Sequence, residues 1–174
     1  MQFNLILSDN NISLIPMTNS SFDELYNVAK DPAIWEQHFD TQRYEVATFK
    51  KYFDIGMQNE EGCFLIVYNG VIVGSTRYYE YSYDESSIKI GYTFYATKYW
   101  GSSLNKKVKN LMLDYAFIYL DNVYFDIWNK NFRSQKAIQK IGAMLFSENT
   151  GSNKLLYLLK KNDFVSKKDY LRCE

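Results

Sequence analysis

At 174 residues the chain is long enough for one domain with a buried core, and its twenty basic and twenty acidic side chains cancel to a formal charge of zero. That balance excludes the basic footprint of a nucleic-acid binder. The two cysteines, Cys63 and Cys173, stand at no metal-ligand or redox spacing, and no apolar run approaches the roughly 20 residues of a membrane span.

In chain order, Ile12-Ser13-Leu14-Ile15-Pro16 predicts a short strand, and Thr18 to Ser21 can cap a helix running to about Lys30. Asp31-Pro32 breaks it. A second helical region, interrupted around Phe39 to Arg43, runs from Tyr44 to Met57, and Asn59-Glu60-Glu61-Gly62 ends it. Cys63 to Tyr68, Asn69-Gly70 and Val71 onward predict a hairpin, because Asn-Gly between apolar strands is the favoured tight-turn pair. Its second strand continues to Ser82, and Asp84 to Ser87 turns the chain into the strand Ile88 to Tyr95. The aromatic residues, 18% of the chain, concentrate in Tyr78 to Tyr83 and Tyr92 to Trp100; they suit strand packing, an aromatic cleft or a dimer edge alike.

Next comes Tyr99-Trp100-Gly101-Ser102-Ser103-Leu104-Asn105, directly before a long amphipathic helix. Gly101 can take positive φ, Ser102 and Ser103 can cap, and the first amides of the helix can hold a phosphate. An ordinary capped turn has the same signature. The helix carries Leu104, Val108, Leu111, Met112, Tyr115, Ala116 and Tyr119 on one stripe, which predicts core, and leaves Lys109 off it, either solvated or structural. A strand at Tyr124 to Trp128, the turn Asn129-Lys130-Asn131 and a helix ending at Gly142 complete the pattern.

These last segments resemble the GCN5-related N-acetyltransferase (GNAT) superfamily, most closely its RimJ/RimL-like branch. The matching residues are Ile90-Gly91-Tyr92-Thr93, Tyr99-Trp100-Gly101, Asn105, Lys109, Leu111-Met112-Leu113, Tyr115-Ala116-Phe117, Asn131, Arg133-Ser134, Ala137-Ile138, Lys140 and Gly142-Ala143. The likeness is strong over about Ile88 to Ala143 and weaker from Ile12 and on to Phe164. It implies an α/β fold of the α+β kind, a single GNAT domain over 1–174. That domain has one mixed, mostly antiparallel twisted sheet of six to seven strands, helices on both faces, and a splayed strand pair holding acetyl-CoA. It implies an N-acetyltransferase that releases coenzyme A, needs no metal, and acts on a protein N-terminus or a small-molecule amine.

Residue by residue, the resemblance puts the pantetheine against Phe94 and Tyr95, and the pyrophosphate on Trp100, Gly101, Ser102, Ser103 and Leu104. Asn105 then lines the loop and Asn131 reaches the pantetheine arm. Arg133 and Ser134 either contact the cofactor or cap their helix. Three departures stand out: Ser103 replaces a second small loop residue and is expected to resist positive φ; Lys89 replaces an acidic residue; and Met144 to Glu148 replaces the usual continuation.

Transfer of an acyl group from a thioester rests on positioning and proton management. An amide donor at the strand splay can hold the developing oxyanion. Candidate bases are Glu80, Glu85, Glu36 and His38, with Glu80 first. Candidate acids are Tyr92, Tyr95 and Ser134, because Ile138 stands where relatives carry a tyrosine. Trp35, His38, Tyr78 and Glu80 are the candidate acceptor-binding residues. The alternative is an idle acyl-CoA-binding module of the same fold, and the chain is read as a cytoplasmic monomer or homodimer with no nucleic-acid or membrane partner.

Overall fold

The computed structural model describes residues 1–149 and 151–172, with side chains through residue 166, so Cys173 lies outside the described residues. Its strands are β1 (Leu7–Asp9), β2 (Ile12–Pro16), β3 (Cys63–Tyr68), β4 (Val71–Ser82), β5 (Ser87–Tyr95), β6 (Asn122–Trp128), β7 (Met144–Asn149) and β8 (Lys154–Lys160). The helices are α1 (Phe22–Ala29), α2 (Val46–Met57), α3 (Leu104–Tyr119), α4 (Phe132–Ile141) and α5 (Lys161–Arg172). All the strands join in one sheet, order β1-β2-β3-β4-β5-β6-β8-β7, antiparallel except for the β5–β6 pair.

Among the described residues the sheet has eight strands, against about six to seven expected. The extra one includes β1, whose three residues carry no alternation of their own and gain strand structure by pairing Leu7, Ser8 and Asp9 with Leu14, Ser13 and Ile12. The Asn69-Gly70 turn forms as expected, both residues at positive φ.

Helices cover both faces. One core packs α3, α4 and Phe164 of α5 on the sheet through Val108, Met112, Ile138 and Tyr157. The other packs α1 and α2 through Leu25, Phe49 and Phe53 against Leu65 and Phe94. Between the two lies the sheet itself, so β5 gives Ile90 and Tyr95 to the first core and Phe94 to the second. Among the described residues no helix is long and apolar enough to cross a membrane.

The buried stripe of α3 differs from the expected one. Leu104, Val108, Met112 and Ala116 are buried as predicted, but Lys109, Leu113 and Phe117 are buried too, while Tyr119 is 52% exposed. The stripe is rotated because α3 meets α5 on one flank, where Phe117 packs on Phe164, as well as the sheet beneath. Lys109 lies inside too, on the sheet, against Thr76 and Thr93.

Candidate active site

The parallel strands β5 and β6 pair only over Ser87 to Lys89 and Asn122 to Tyr124. Beyond those residues they part, and the stretch Ile90 to Tyr95 keeps β4 as its partner on one edge alone. A β-bulge sharpens the divergence. Ser75 pairs Phe94 and Arg77 pairs Gly91, so Thr76 opposes both Tyr92, at φ 51°, and Thr93.

At the end of this open edge, a short turn at Thr97–Tyr99 leads into the glycine loop. Gly101 has φ 75°, and a side chain placed there would meet nothing within 4 Å, so the space a bulky ligand needs is free above its backbone. Ser102 closes the loop, its Oγ donating to the Tyr99 carbonyl at 2.6 Å and accepting from the Leu104 amide at 3.3 Å. Ser103 sits at φ −74°, ψ −5°, so the strain expected of a non-glycine residue there does not arise. Leu104 opens α3 and is buried, its amide taken by Ser102 Oγ; the loop stands at the positive end of this 16-residue helix. Such a loop fits a pyrophosphate.

Asn105 Oδ1 accepts from the Tyr95 hydroxyl at 3.1 Å. Burial raises the pKa of that hydroxyl, so Tyr95 keeps its proton and spends it on Asn105. Phe94 turns its ring into the α1–α2 core, 5.1 Å from the Trp35 ring, and offers the slot only its backbone. Trp100 is clamped by Arg133, whose guanidinium carbon stands 3.7 Å above its ring while Nη2 donates to the Ile34 carbonyl at 3.2 Å. Arg133 thus ties the loop, α4 and the turn at Pro32–Trp35 together. Asn131 caps α4, its Oδ1 accepting from the Ser134 amide at 3.0 Å. Gly142, at φ 106°, ends that helix as predicted.

The sequence did not point to Asn129. It follows β6 directly, in the turn to α4, with a buried Oδ1 that accepts no hydrogen bond among the described residues. An orphaned buried acceptor is costly, and an amide N–H on a bound ligand would satisfy it.

Where the strands part, a cavity of about 360 Å³ opens between Glu80, Lys89, Asp126, Asn149 and Lys154. Glu80 stands in a second bulge of β4 at φ 52°, its carboxylate 2.6 Å from Lys89 Nζ and 63% exposed. Lys89 also binds Asp126 at 2.8 Å, which fastens β5 to β6. Burial works against the charge on Lys89, but its bonds to Asp126 and Glu80 outweigh that and raise its pKa. The departure at Lys89 is therefore part of the site: the cation holds both carboxylates at the cavity. Glu85 lies exposed in the β4–β5 turn, at the other end of β5 from the glycine loop, and Glu36 is exposed after the Pro32–Trp35 turn.

Tyr78 is not at this cavity. It is 0% exposed and donates to the Met112 carbonyl on the α3 face, so an acceptor has no surface of it to touch. Trp35 is buried and donates to the Ala29 carbonyl at 2.7 Å. His38 packs edge-on to Trp35 and beside Phe39, with Arg43 Nη1 3.2 Å from its Nε2. Burial, and then the Arg43 charge, lower its pKa to about 3. So weak a proton acceptor is a wall rather than a base.

The sign of the resulting pH effect follows. Unfolded His38 takes up a proton near 6.5, whereas folded His38 stays neutral down to about 3. Its contribution to stability is full above pH 6.5 and is lost as the pH falls from 6.5 toward 3. His38→Asn should flatten the fall of the urea midpoint over that window. Identical slopes for the two proteins would contradict the assignment.

A family model described as "Acetyltransferase (GNAT) domain" matches residues 11–144. No curated protein matches the chain. Among solved structures, a GCN5-related N-acetyltransferase from Brucella melitensis superposes with a TM-score of 0.83 at 15% identity, over 98% of this chain and 85% of that one. Mycobacterium smegmatis RimJ in complex with CoA-disulfide gives 0.69 at 15% identity, over 87% and 82%. Spermidine N-acetyltransferase from Vibrio cholerae, in complex with CoA and spermine, gives 0.69 at 14% identity, over 90% and 99%. At these identities the likeness is one of fold.

Proposed function

The chain belongs to the GNAT acetyltransferase family, and on that premise we propose that it transfers the acetyl group of acetyl-CoA to a primary amine by direct attack in a ternary complex. The observation that carries this reading is the parting of β5 and β6 directly beside the glycine loop at the start of α3. An open strand edge suits the amides of a pantetheine arm, and helix amides suit its pyrophosphate.

Acetyl-CoA, when bound, supplies an acyl carbon already activated as a thioester. The chain does the rest. Gly101 to Leu104 hold phosphate, the Ile90 to Tyr95 edge orients the arm, and Asn129 Oδ1 accepts an N–H from it. Glu80 takes the proton that the amine loses, directly or through water. The cavity beside it sets Glu80 and Asp126 against Lys89 and Lys154, so its polar wall suits an amine acceptor without selecting a strongly charged one. RimJ and a spermidine acetyltransferase both stand among the structural neighbours. Their presence supports two acceptor classes, a protein N-terminal α-amine and a small polyamine-like molecule.

Incubation with acetyl-CoA and a panel of N-terminal peptides, polyamines and aminoglycosides, scored by thiol release and product mass, tests the reading. Acetyl-CoA should raise the melting temperature, as any ligand of the folded state alone must. Glu80→Gln should lower kcat by about 10²-fold or more with that shift retained. An unchanged melting temperature would sink the proposal.

One observation favours a second reading, an idle acyl-CoA-binding module. Glu80 and Asp126 both bind Lys89, so neither carboxylate is free of a cation. Turnover of any amine above the uncatalysed rate excludes it.

A further inference from the structure

The inner face of α3 should hold only apolar side chains, yet Lys109 lies there with 6% of its surface exposed. Its Nζ donates to Thr93 Oγ1 at 2.6 Å and stands 3.5 Å from Thr76 Oγ1. The two threonine oxygens are 2.8 Å apart. An ammonium has three donors, and here it faces two hydroxyl oxygens. Among the described residues no carboxylate pairs with it. The titratable side chains that β4 and β5 present to α3 are Tyr78 and Tyr95, which donate to the Met112 carbonyl and to Asn105 instead. A buried cation without a counter-ion is expensive, and a hydrophobic residue would do as well structurally.

Its one close partner stands at a telling place. Thr93 is in the β5 bulge, on the stretch that has parted from β6, and is half-buried rather than sealed in the core. Its own hydroxyl hydrogen has two acceptors within reach, Thr76 Oγ1 at 2.8 Å and the Gly91 carbonyl at 3.3 Å, and Lys109 presses on the same oxygen from the other side. Of the residues expected to act as acid, Tyr95 gives its proton to Asn105, and Ile138 of α4, at the position where relatives carry a tyrosine, is apolar and buried.

We propose that Thr93, resupplied by Lys109, is the proton donor to the leaving sulfur in this slot. The inference rests on the acetyl-CoA reading above. Thr93 gives its hydroxyl proton to sulfur as the C–N bond forms and the C–S bond breaks, with the C–S electron pair staying on sulfur. Lys109 passes a proton from Nζ to Thr93 Oγ1 and is left neutral. Glu80 holds the proton lost by the amine, and solvent restores both groups between turnovers. Burial supports the assignment by lowering the pKa of Lys109 to about 7, where an ammonium can both hold and release a proton.

The test uses Thr93→Val, Thr93→Ser and Lys109→Met in the full chain. With ¹³Cε-labelled lysine, one resonance missing from Lys109→Met should titrate near pH 7 in the wild type, a measurement that needs no turnover. Thr93→Val and Lys109→Met should keep the thermal stabilisation by CoA, lose about 10²-fold or more in kcat, and lose the basic limb of the pH–rate profile near 7. Thr93→Ser should stay near wild type, and the Val and Ser pair carries the test if Lys109→Met does not fold. Titration of Lys109 at the ordinary lysine value, or wild-type kcat and pH profile in Thr93→Val, overturns the relay alone. Absence of CoA stabilisation in the wild type overturns the acetyl-CoA reading and the relay with it.

Discussion

Gly74→Ala is expected to cost at least about 3 kcal/mol of folding stability and to weaken CoA binding by more than about tenfold, although it adds a single methyl. Gly74 pairs with Tyr95 across the β4–β5 ladder. A Cβ there would stand 2.0 Å from the Phe94 carbonyl oxygen, 2.9 Å from its carbon and 3.1 Å from Tyr95 Cα. These are backbone atoms, so no rotamer change relieves the clash. The end of β5 must move away from β4, and with it the edge that faces the slot and the start of the glycine loop. Urea unfolding and a CoA titration of the variant read the two effects together. A midpoint and an affinity equal to wild type would show that the strand pair is looser than this geometry.

The second large effect is a contrast between two substitutions of one residue. Arg77 is the largest fully buried side chain, 1% exposed, and its guanidinium carbon lies 4.3 Å from the Tyr52 ring centre and 4.4 Å from that of Tyr92. Nη2 donates to the Tyr52 carbonyl at 2.7 Å, while Nε has no partner among the described residues. Arg77→Ala should cost about 3–5 kcal/mol, because it leaves a large cavity between two rings. Arg77→Met keeps most of the volume and removes both the charge and the orphaned donor. It should lie within about 1 kcal/mol of wild type, or above it, as replacing a buried charge by a packed apolar side chain often does. Denaturation of both variants decides the matter. If Met costs as much as Ala, the guanidinium itself stabilises the fold through its two rings, and volume is not the ruling term.

Tyr92 joins that core to the site, since it sits in the β5 bulge next to Thr93 and packs on both Arg77 and Tyr79. The cavity left by Arg77→Ala should therefore also be felt as weaker CoA binding, whereas Arg77→Met should not be.

Much of the frame was legible because its signals are short-range. Asn69-Gly70 makes a turn, Gly101 takes positive φ and Gly142 ends α4, each set by the backbone preferences of a few adjacent residues, whereas the cap of α4 falls to Asn131 and not to Arg133 or Ser134. The family pattern rests on the same local units, which is why it could be matched along one stretch of chain. Asn131, Arg133 and Trp100 were singled out on that pattern, and the contacts that hold them are now visible: a cap, a stacked guanidinium and its ring.

What stayed hidden depends on residues far apart in sequence. Nothing near Lys109 says that it is buried; that follows from Thr76 and Thr93 of β4 and β5 meeting beneath it. Glu80 and Lys89 gain meaning only when Asp126, on a strand reached through α3, comes up beside them. Tyr78 misled because the alternation of a strand tells that two faces exist and not which core each one meets. The sequence by itself determined the Asn-Gly turn, the glycine loop and the order of the main elements from Ile12 to Gly142, since backbone preference and hydrophobic period act within a few residues. Only the tertiary structure decided which charges are buried, which acceptors are orphaned and where the strands part, because those are set by what the rest of the chain packs against them.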